Sequence, residues 1–169
     1  MNIPVKFKRL HPDAATPQYA HDGDSGFDLT TVEDVFIESG TTAIVPTGLA
    51  IELPPGFEAQ VRPRSGVTAK STLRVQLGTI DRGYTGEIGI ITDNIEQSDA
   101  LPYFIPKGDR IAQLVIAPVA HATFTEVDTL DETSRGEGAY GSTGVGFNER
   151  FRQNMEKKGP EAARKWEDE

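Results

Sequence analysis

The sequence predicts an all-β domain, built as a sandwich, jelly roll or barrel, on three observations. Short apolar stretches recur at a spacing of about 8–12 residues. The 17 glycines and 11 prolines are scattered between those stretches, where they punctuate them as turns. No long amphipathic helical pattern occurs before residue 145.

The elements follow in order. Residues 4–10 alternate polar and apolar, and 34–37 form a short strand turned by Ser39-Gly40. Residues 42–53 are strongly apolar, are broken by Pro46 and end at Pro54-Pro55-Gly56. Residues 57–62 alternate again, and 66–72 suit one short helical turn. Residues 73–80 and 87–92 flank Asp81-Arg82-Gly83-Tyr84-Thr85-Gly86, which reads as a glycine-bearing hairpin loop. Strands over 101–105 and 110–118 follow, joined by the turn Pro106-Lys107-Gly108-Asp109, and 124–127 reads as a last strand. The expected division is a β-domain over 1–130, a glycine-rich arm over 131–144 and a short helical extension over 145–169. In that extension Phe147, Phe151 and Met155 fall on one helical face, Asn148 is a plausible N-cap, and Gly159-Pro160 stops and restarts the helix before Trp166.

Charge and composition narrow the chemistry. The formal net charge is −9, so a broad basic face for duplex DNA is not expected; an anionic substrate needs a focused basic pocket. The absence of cysteine removes disulfides, thiolate metal sites, iron–sulfur clusters and a cysteine nucleophile. No apolar run approaches the length of a membrane span and the N-terminus lacks a signal-peptide pattern, so a cytoplasmic protein is the expectation.

Five polar segments carry the candidate chemistry: Asp24-Ser25-Gly26-Phe27-Asp28-Leu29, Arg62-Pro63-Arg64-Ser65-Gly66, residues 78–87, residues 108–114 and residues 135–144. Arg-Ser-Gly makes a good anion clamp. Arginine offers a fork of donors, serine a hydroxyl, and glycine lets backbone N–H groups approach an oxygen closely. Arg135 with Ser142, Thr143 and Gly144 has the same composition. Two such clamps with the carboxylates Asp28 and Asp81 suit a polyphosphate and a divalent cation. Taken singly, each segment equally suits a turn, a cap or a linker.

In their order and combination, these segments resemble the five motifs of the trimeric deoxyuridine triphosphatases, the dUTPases, with near-literal matches in Arg64-Ser65-Gly66, 78–87, 108–114 and 141–144. The resemblance implies a distorted jelly-roll β-barrel assembled as a homotrimer. It places three active sites between subunits, each closed by a C-terminal arm. The implied reaction is hydrolysis of dUTP to dUMP and pyrophosphate by in-line attack of water on the α-phosphorus. Asp81 matches the aspartate that orients the water and holds the sugar 3′-OH. Tyr84 matches the tyrosine under the deoxyribose that leaves no room for a 2′-OH. Backbone groups around Gly78 and Ile80 would read the uracil. Arg64, Ser65, Gly66 and Gln113 match phosphate contacts, with Ser65 on the leaving pyrophosphate. Asp28 would meet Mg²⁺ through water. Arg135 would bind the γ-phosphate as an arginine finger, Tyr140 would stack on the base, and Gly141, Ser142 and Thr143 would wrap the phosphates. His11, His21 and His121 match no motif, and Asp109 and Arg110 read as a turn cap and an intersubunit or structural pair.

Two departures stand out. The stretch 66–78 is shorter than in common cellular members, as in bacteriophage and Gram-positive types, and Val75-Gln76-Leu77 replaces an asparagine often found before the hairpin glycine. The tail after Gly144 is also longer than usual. The dCTP deaminases share the fold, but Ile91 occupies the place of their catalytic glutamate. A regulatory role, in which a nucleotide-gated trimer binds a protein partner, remains open beside hydrolysis. No membrane partner is expected.

Overall fold

The computed structural model describes residues 2–97 and 101–138. The chain divides into two compact units, Met1–Ala122 and Thr123–Glu169. The first holds eleven strands and one short helix: β1 (Lys6–Arg9), β2 (Phe27–Thr30), β3 (Val35–Ile37), β4 (Thr42–Pro46), β5 (Leu49–Glu52), β6 (Phe57–Pro63), α1 (Ser65–Lys70), β7 (Leu73–Val75), β8 (Gly78–Ile80), β9 (Gly89–Asn94), β10 (Tyr103–Ile105) and β11 (Arg110–Pro118). The all-β class and the lone helical turn are as the sequence predicts. No helix among the described residues is long and apolar enough to cross a membrane.

Pairing is antiparallel throughout, in four sheets: β1-β5, β10-β3, β2-β11-β6-β8 and β4-β9-β7. Alternate residues of these strands meet in one apolar cluster. It takes Phe27 and Leu29 from β2, Val45 from β4, Val61 from β6, Ile80 from β8, Ile90 from β9 and Leu114 from β11. Ala59, Ile90 and Leu114 are fully enclosed. This period-2 burial supplies most of the folding free energy, at about 25 cal/mol per Å² of apolar surface removed from water. β1 contributes nothing to it; all four of its residues are exposed, and it serves to cover the edge of β5.

Several elements differ from expectation, each for a local reason. The apolar run 42–53 breaks into β4 and β5 at Gly48, whose φ of +62° belongs to the left-handed region and turns the chain from one sheet into another. A Cβ at Gly48 would lie 2.6 Å from His11 Cβ and 3.0 Å from Val32 Cγ1. The run 73–80 likewise divides: β7 pairs with β9, whereas β8 leaves that sheet and pairs with β6. Residues 81–86 are therefore not the loop of a two-stranded hairpin but a connection between sheets. The turn at Pro106–Asp109 also joins strands of different sheets, β10 and β11. β2 lies inside a segment read from sequence as a polar motif; its pattern is buried at Phe27 and Leu29 and half-exposed at Asp28 and Thr30.

In the second unit, residues 123–138 contain no strand, and the expected strand over 124–127 is absent because Phe124 (93% exposed) and Val127 find neither a ladder partner nor a core. A turn forms at Thr133–Gly138, where the Gly136 N–H donates to Thr133 O and the Gly138 N–H to Arg135 O. The expected helical extension over 145–169 lies outside the described residues.

Gly48→Ala is expected to destabilise the protein by about 1–3 kcal/mol, from left-handed strain and the contact with His11 together. The midpoint of urea denaturation measures this.

Candidate active site

The sheet β2-β11-β6-β8 brings four of the five sequence segments onto neighbouring strands. Asp28 on β2 stands opposite Gln113 on β11, which in turn stands opposite Arg62 on β6. Close approach of β2 to β11 depends on Gly26, where a Cβ would come within 2.9 Å of the Leu114 carbonyl oxygen. β6 ends at Pro63, and Arg64 follows with extended backbone (φ −96°, ψ 130°) before α1 begins at Ser65.

At this end of the sheet a three-residue ion cluster forms. The Arg64 Nε donates to Asp28 Oδ1 at 2.9 Å, and the Arg110 Nη1 donates to Asp28 Oδ2 at 3.2 Å. A second Arg64 donor, Nη1, reaches the Arg110 carbonyl at 2.6 Å, and Gln113 Nε2 donates to Pro63 O at 3.0 Å. Asp28 is 24% exposed and Arg64 31%, so the cluster is partly shielded from water. Two guanidiniums share one carboxylate, leaving net positive charge beside a cleft of about 530 Å³. That cleft is lined by three basic side chains, Arg64, Lys70 and Arg110, against one acidic one, Asp109, together with Ser65, Gly66 and Gln113 among others. On a chain of charge −9, this is a focused cationic pocket of the kind an anionic substrate requires.

A second, smaller cleft of about 240 Å³ lies along β8 and is lined by residues 78–81, Tyr84, Glu87 and part of β9. β8 is the edge strand of its sheet, so half of its peptide groups have no ladder partner. The Ile80 side chain is buried in the core and offers that cleft only its backbone. Asp81 is exposed, and its carboxylate has no hydrogen-bond or ion-pair partner among the described residues. Tyr84 packs back on its own loop: its N–H donates to Asp81 O at 2.9 Å and its hydroxyl to Glu87 O at 2.8 Å. The loop is tied to the β4–β5 corner, since Glu87 Oε1 accepts the Gly48 N–H at 2.7 Å and the Thr47 hydroxyl donates to Ile88 O at 2.6 Å.

The second cleft starts beside Val61 and runs along β8, away from Arg64, to Asp81. Pairing of Ala59 with Ile80 puts Asp81 beside Glu58, six residues before Arg64, and six strand residues span about 20 Å. Within one protomer the structure thus groups Asp28, Arg64, Ser65, Gly66 and Gln113 at one end of β6, places Gly78 opposite Val61, and carries Ile80, Asp81 and Tyr84 towards the other end. Arg135 belongs to the second unit, where its Nε donates to Gly138 O at 3.0 Å. Tyr140, Gly141, Ser142 and Thr143 lie outside the described residues. Arg110, read from sequence as a structural or intersubunit pair, pairs within its own chain, with Asp28. The anchoring role of Glu87 has no signal in sequence, because its partner is a main-chain N–H far back along the chain. Among the described residues no cluster of three or more His, Cys, Asp or Glu side chains could cage a metal ion.

A family model described as dUTPase matches residues 13–144. The chain is 47% identical over 143 residues to the deoxyuridine 5′-triphosphate nucleotidohydrolase of Gloeothece citriformis, covering 83% of this chain and 97% of that protein. It is 49% identical to the enzyme of the same name from Thermobifida fusca, over 84% of this chain and 79% of the other. Among solved structures it is similar to the Staphylococcus bacteriophage 80alpha dUTPase with dUpNHpp (TM-score 0.78, 31% identity, 84% of this chain and 99% of that one). It is also similar to a dUTPase of phage phi11 of S. aureus, described for its coordination of a structural Mg(II) ion (TM-score 0.70, 30% identity, 75% and 97%).

Asp28→Ala leaves two neighbouring guanidiniums without their shared carboxylate and is expected to cost about 1–3 kcal/mol of stability. Asp81→Ala, which breaks no contact, is expected to change stability by less than about 0.5 kcal/mol. Paired denaturation curves distinguish the two.

Proposed function

Since the chain belongs to the dUTPase family and hydrolyses dUTP, we propose that the reaction takes place at a site shared between copies of the chain in a homotrimer, with Asp81 supplied by one protomer and the Arg64 cluster by another. The observation that carries this reading is the separation of Asp81 from Arg64 along β6, a distance well beyond the reach of one triphosphate. A closed symmetric trimer brings the β8 end of one protomer to the cationic end of the next, and gives each interface the same complete site.

In this arrangement the nucleoside lies along β8. Peptide groups of this edge strand around Gly78 and Ile80 present fixed donors and acceptors to the uracil edge. The Tyr84 ring lies under the deoxyribose and excludes a 2′-OH by contact. The triphosphate extends into the neighbouring protomer's pocket, where Arg64, Ser65, the Gly66 backbone and Gln113 hold its oxygens.

The Asp81 carboxylate accepts a proton from a water molecule aligned behind the α-phosphorus. The water oxygen bonds to that phosphorus as the bond to the α–β bridging oxygen breaks. The charge that accumulates on the departing pyrophosphate is met by the Ser65 hydroxyl and the guanidiniums. The exposed, partnerless carboxylate of Asp81 suits a proton acceptor, whereas Asp28 is already held by two arginines.

Mg²⁺ fits this donor set through water. Each Asp28 oxygen accepts one arginine N–H and keeps a lone pair that would accept from a water ligand, while the substrate phosphates would supply direct ligands. When bound, the ion would neutralise phosphate charge and align the triphosphate. The arm over 131–144 completes the site of another protomer, with Arg135 on the γ-phosphate, Tyr140 on the uracil and Gly141, Ser142 and Thr143 around the phosphates.

A pyrophosphate-release assay over a nucleotide panel tests the assignment: turnover is expected on dUTP and to be at least about a hundredfold slower on dCTP, dTTP and UTP. Ammonia release from dCTP would contradict it. Asp81→Asn keeps the shape of the pocket and removes the acceptor charge, so dUTP binding should persist while kcat falls at least about a hundredfold. Truncation after Asp131 should lower kcat about a thousandfold through loss of Arg135, leaving the thermal midpoint of the β-domain in place.

A further inference from the structure

Gly86 lies two residues beyond Tyr84, and its φ is outside the left-handed region, so its own backbone does not require glycine. Its neighbour does. A Cβ built at position 86 would meet the Tyr84 ring, at 2.6 Å from Oη, 2.7 Å from Cζ and 3.0 Å from Cε2. These are the nearest atoms, all from one side chain. Gly83 in the same loop has nothing within 4 Å of a Cβ at that position.

The ring is thus fixed at two points. Its hydroxyl is tied to the Glu87 carbonyl, and its edge rests over the bare Cα of Gly86. The accepting peptide is itself tied down by hydrogen bonds. Glu87 and Ile88 are held to the β4–β5 corner through the Gly48 N–H, the Thr47 hydroxyl and the Ile88 N–H bond to Leu49 O at 2.8 Å.

We propose that Gly86 is a specificity-determining residue: by lacking a side chain it lets the hydroxyl end of the Tyr84 ring settle on its own loop, and so sets the position of the surface on which the substrate's sugar rests. This rests on the reading above that Tyr84 meets the deoxyribose. A methyl group at position 86 forces the ring off its seat by several tenths of an ångström and breaks its bond to the Glu87 carbonyl. Tyr84 is 49% exposed and lies outside the core cluster, so the displacement is absorbed at the site rather than in the core. A displaced ring no longer matches deoxyribose, and discrimination against a 2′-hydroxyl falls. Discrimination between bases, made along β8, does not.

The test measures kcat/KM for dUTP, UTP and dCTP in assembled variant enzymes. Gly86→Ala is expected to lower the dUTP-over-UTP ratio about tenfold or more, with the dUTP-over-dCTP ratio unchanged. Gly83→Ala should alter neither ratio. In a Tyr84→Ala background, which itself lowers the sugar ratio, Gly86→Ala should add nothing. Glu87→Ala adds no atom and unpins the accepting peptide, so it should lower the sugar ratio in the same direction; it stands in for Gly86→Ala should that variant fail to assemble. A wild-type sugar ratio in Gly86→Ala, or in Glu87→Ala as its substitute, overturns the proposal while Tyr84→Ala still loses selectivity. An equal Gly86→Ala effect with and without Tyr84 also overturns it. A Tyr84→Ala enzyme as selective as wild type overturns the sugar-contact reading instead.

Discussion

Strand β6 is paired on both sides, with β11 along its whole length and with β8 at its middle three residues, and this double pairing positions the candidate site. The β11 register brings Gln113 level with Arg62, and the β2 register brings Asp28 level with Gln113. The side chains proposed to bind phosphate are thereby gathered at the end of β6 that leads into α1. The β8 register carries Asp81 and Tyr84 to the other end. A one-residue slip in any of these ladders would turn every side chain to the opposite face, so the buried faces of these strands and the site depend on the same pairing.

The electrostatics follow from that geometry. An acidic chain concentrates positive charge at one place by pairing a single carboxylate with two guanidiniums, and the surplus attracts anions into the cleft beside it. Asp28 gains orientation for Arg64 and Arg110 at the cost of its own freedom, whereas the Asp81 carboxylate has no partner among the described residues. The reaction then needs little from any one side chain. Phosphoryl transfer is governed by alignment and charge neutralisation, and both are served by groups held on paired strands and their tied-down loops.

Much of this was legible in the sequence. Short apolar stretches at regular spacing and scattered turn residues predict the all-β class, and the order of five polar segments points to the family. Other features depend on contacts distant in sequence. The apolar run 42–53 reads as one strand because Gly48 alone marks its corner, and 73–80 reads as one because its two halves are both apolar yet pair with different sheets. The loop 81–86 has hairpin composition, but its flanking strands do not pair with each other. The pairing of Arg110 with Asp28 depends on the β2–β11 register, and Gly86 reads as one more turn glycine until the Tyr84 ring is seen over it.

The central claim is that no single chain contains a working site. Asp81→Asn and Arg64→Gln protomers, each inactive alone, can be unfolded together in equal amounts and refolded as mixed assemblies. Shared sites predict recovery of about a quarter of wild-type turnover, because one interface in four then combines an intact Asp81 with an intact Arg64. Failure of the mixture to exceed the two variants refolded separately, in assemblies shown to be mixed, would contradict the account.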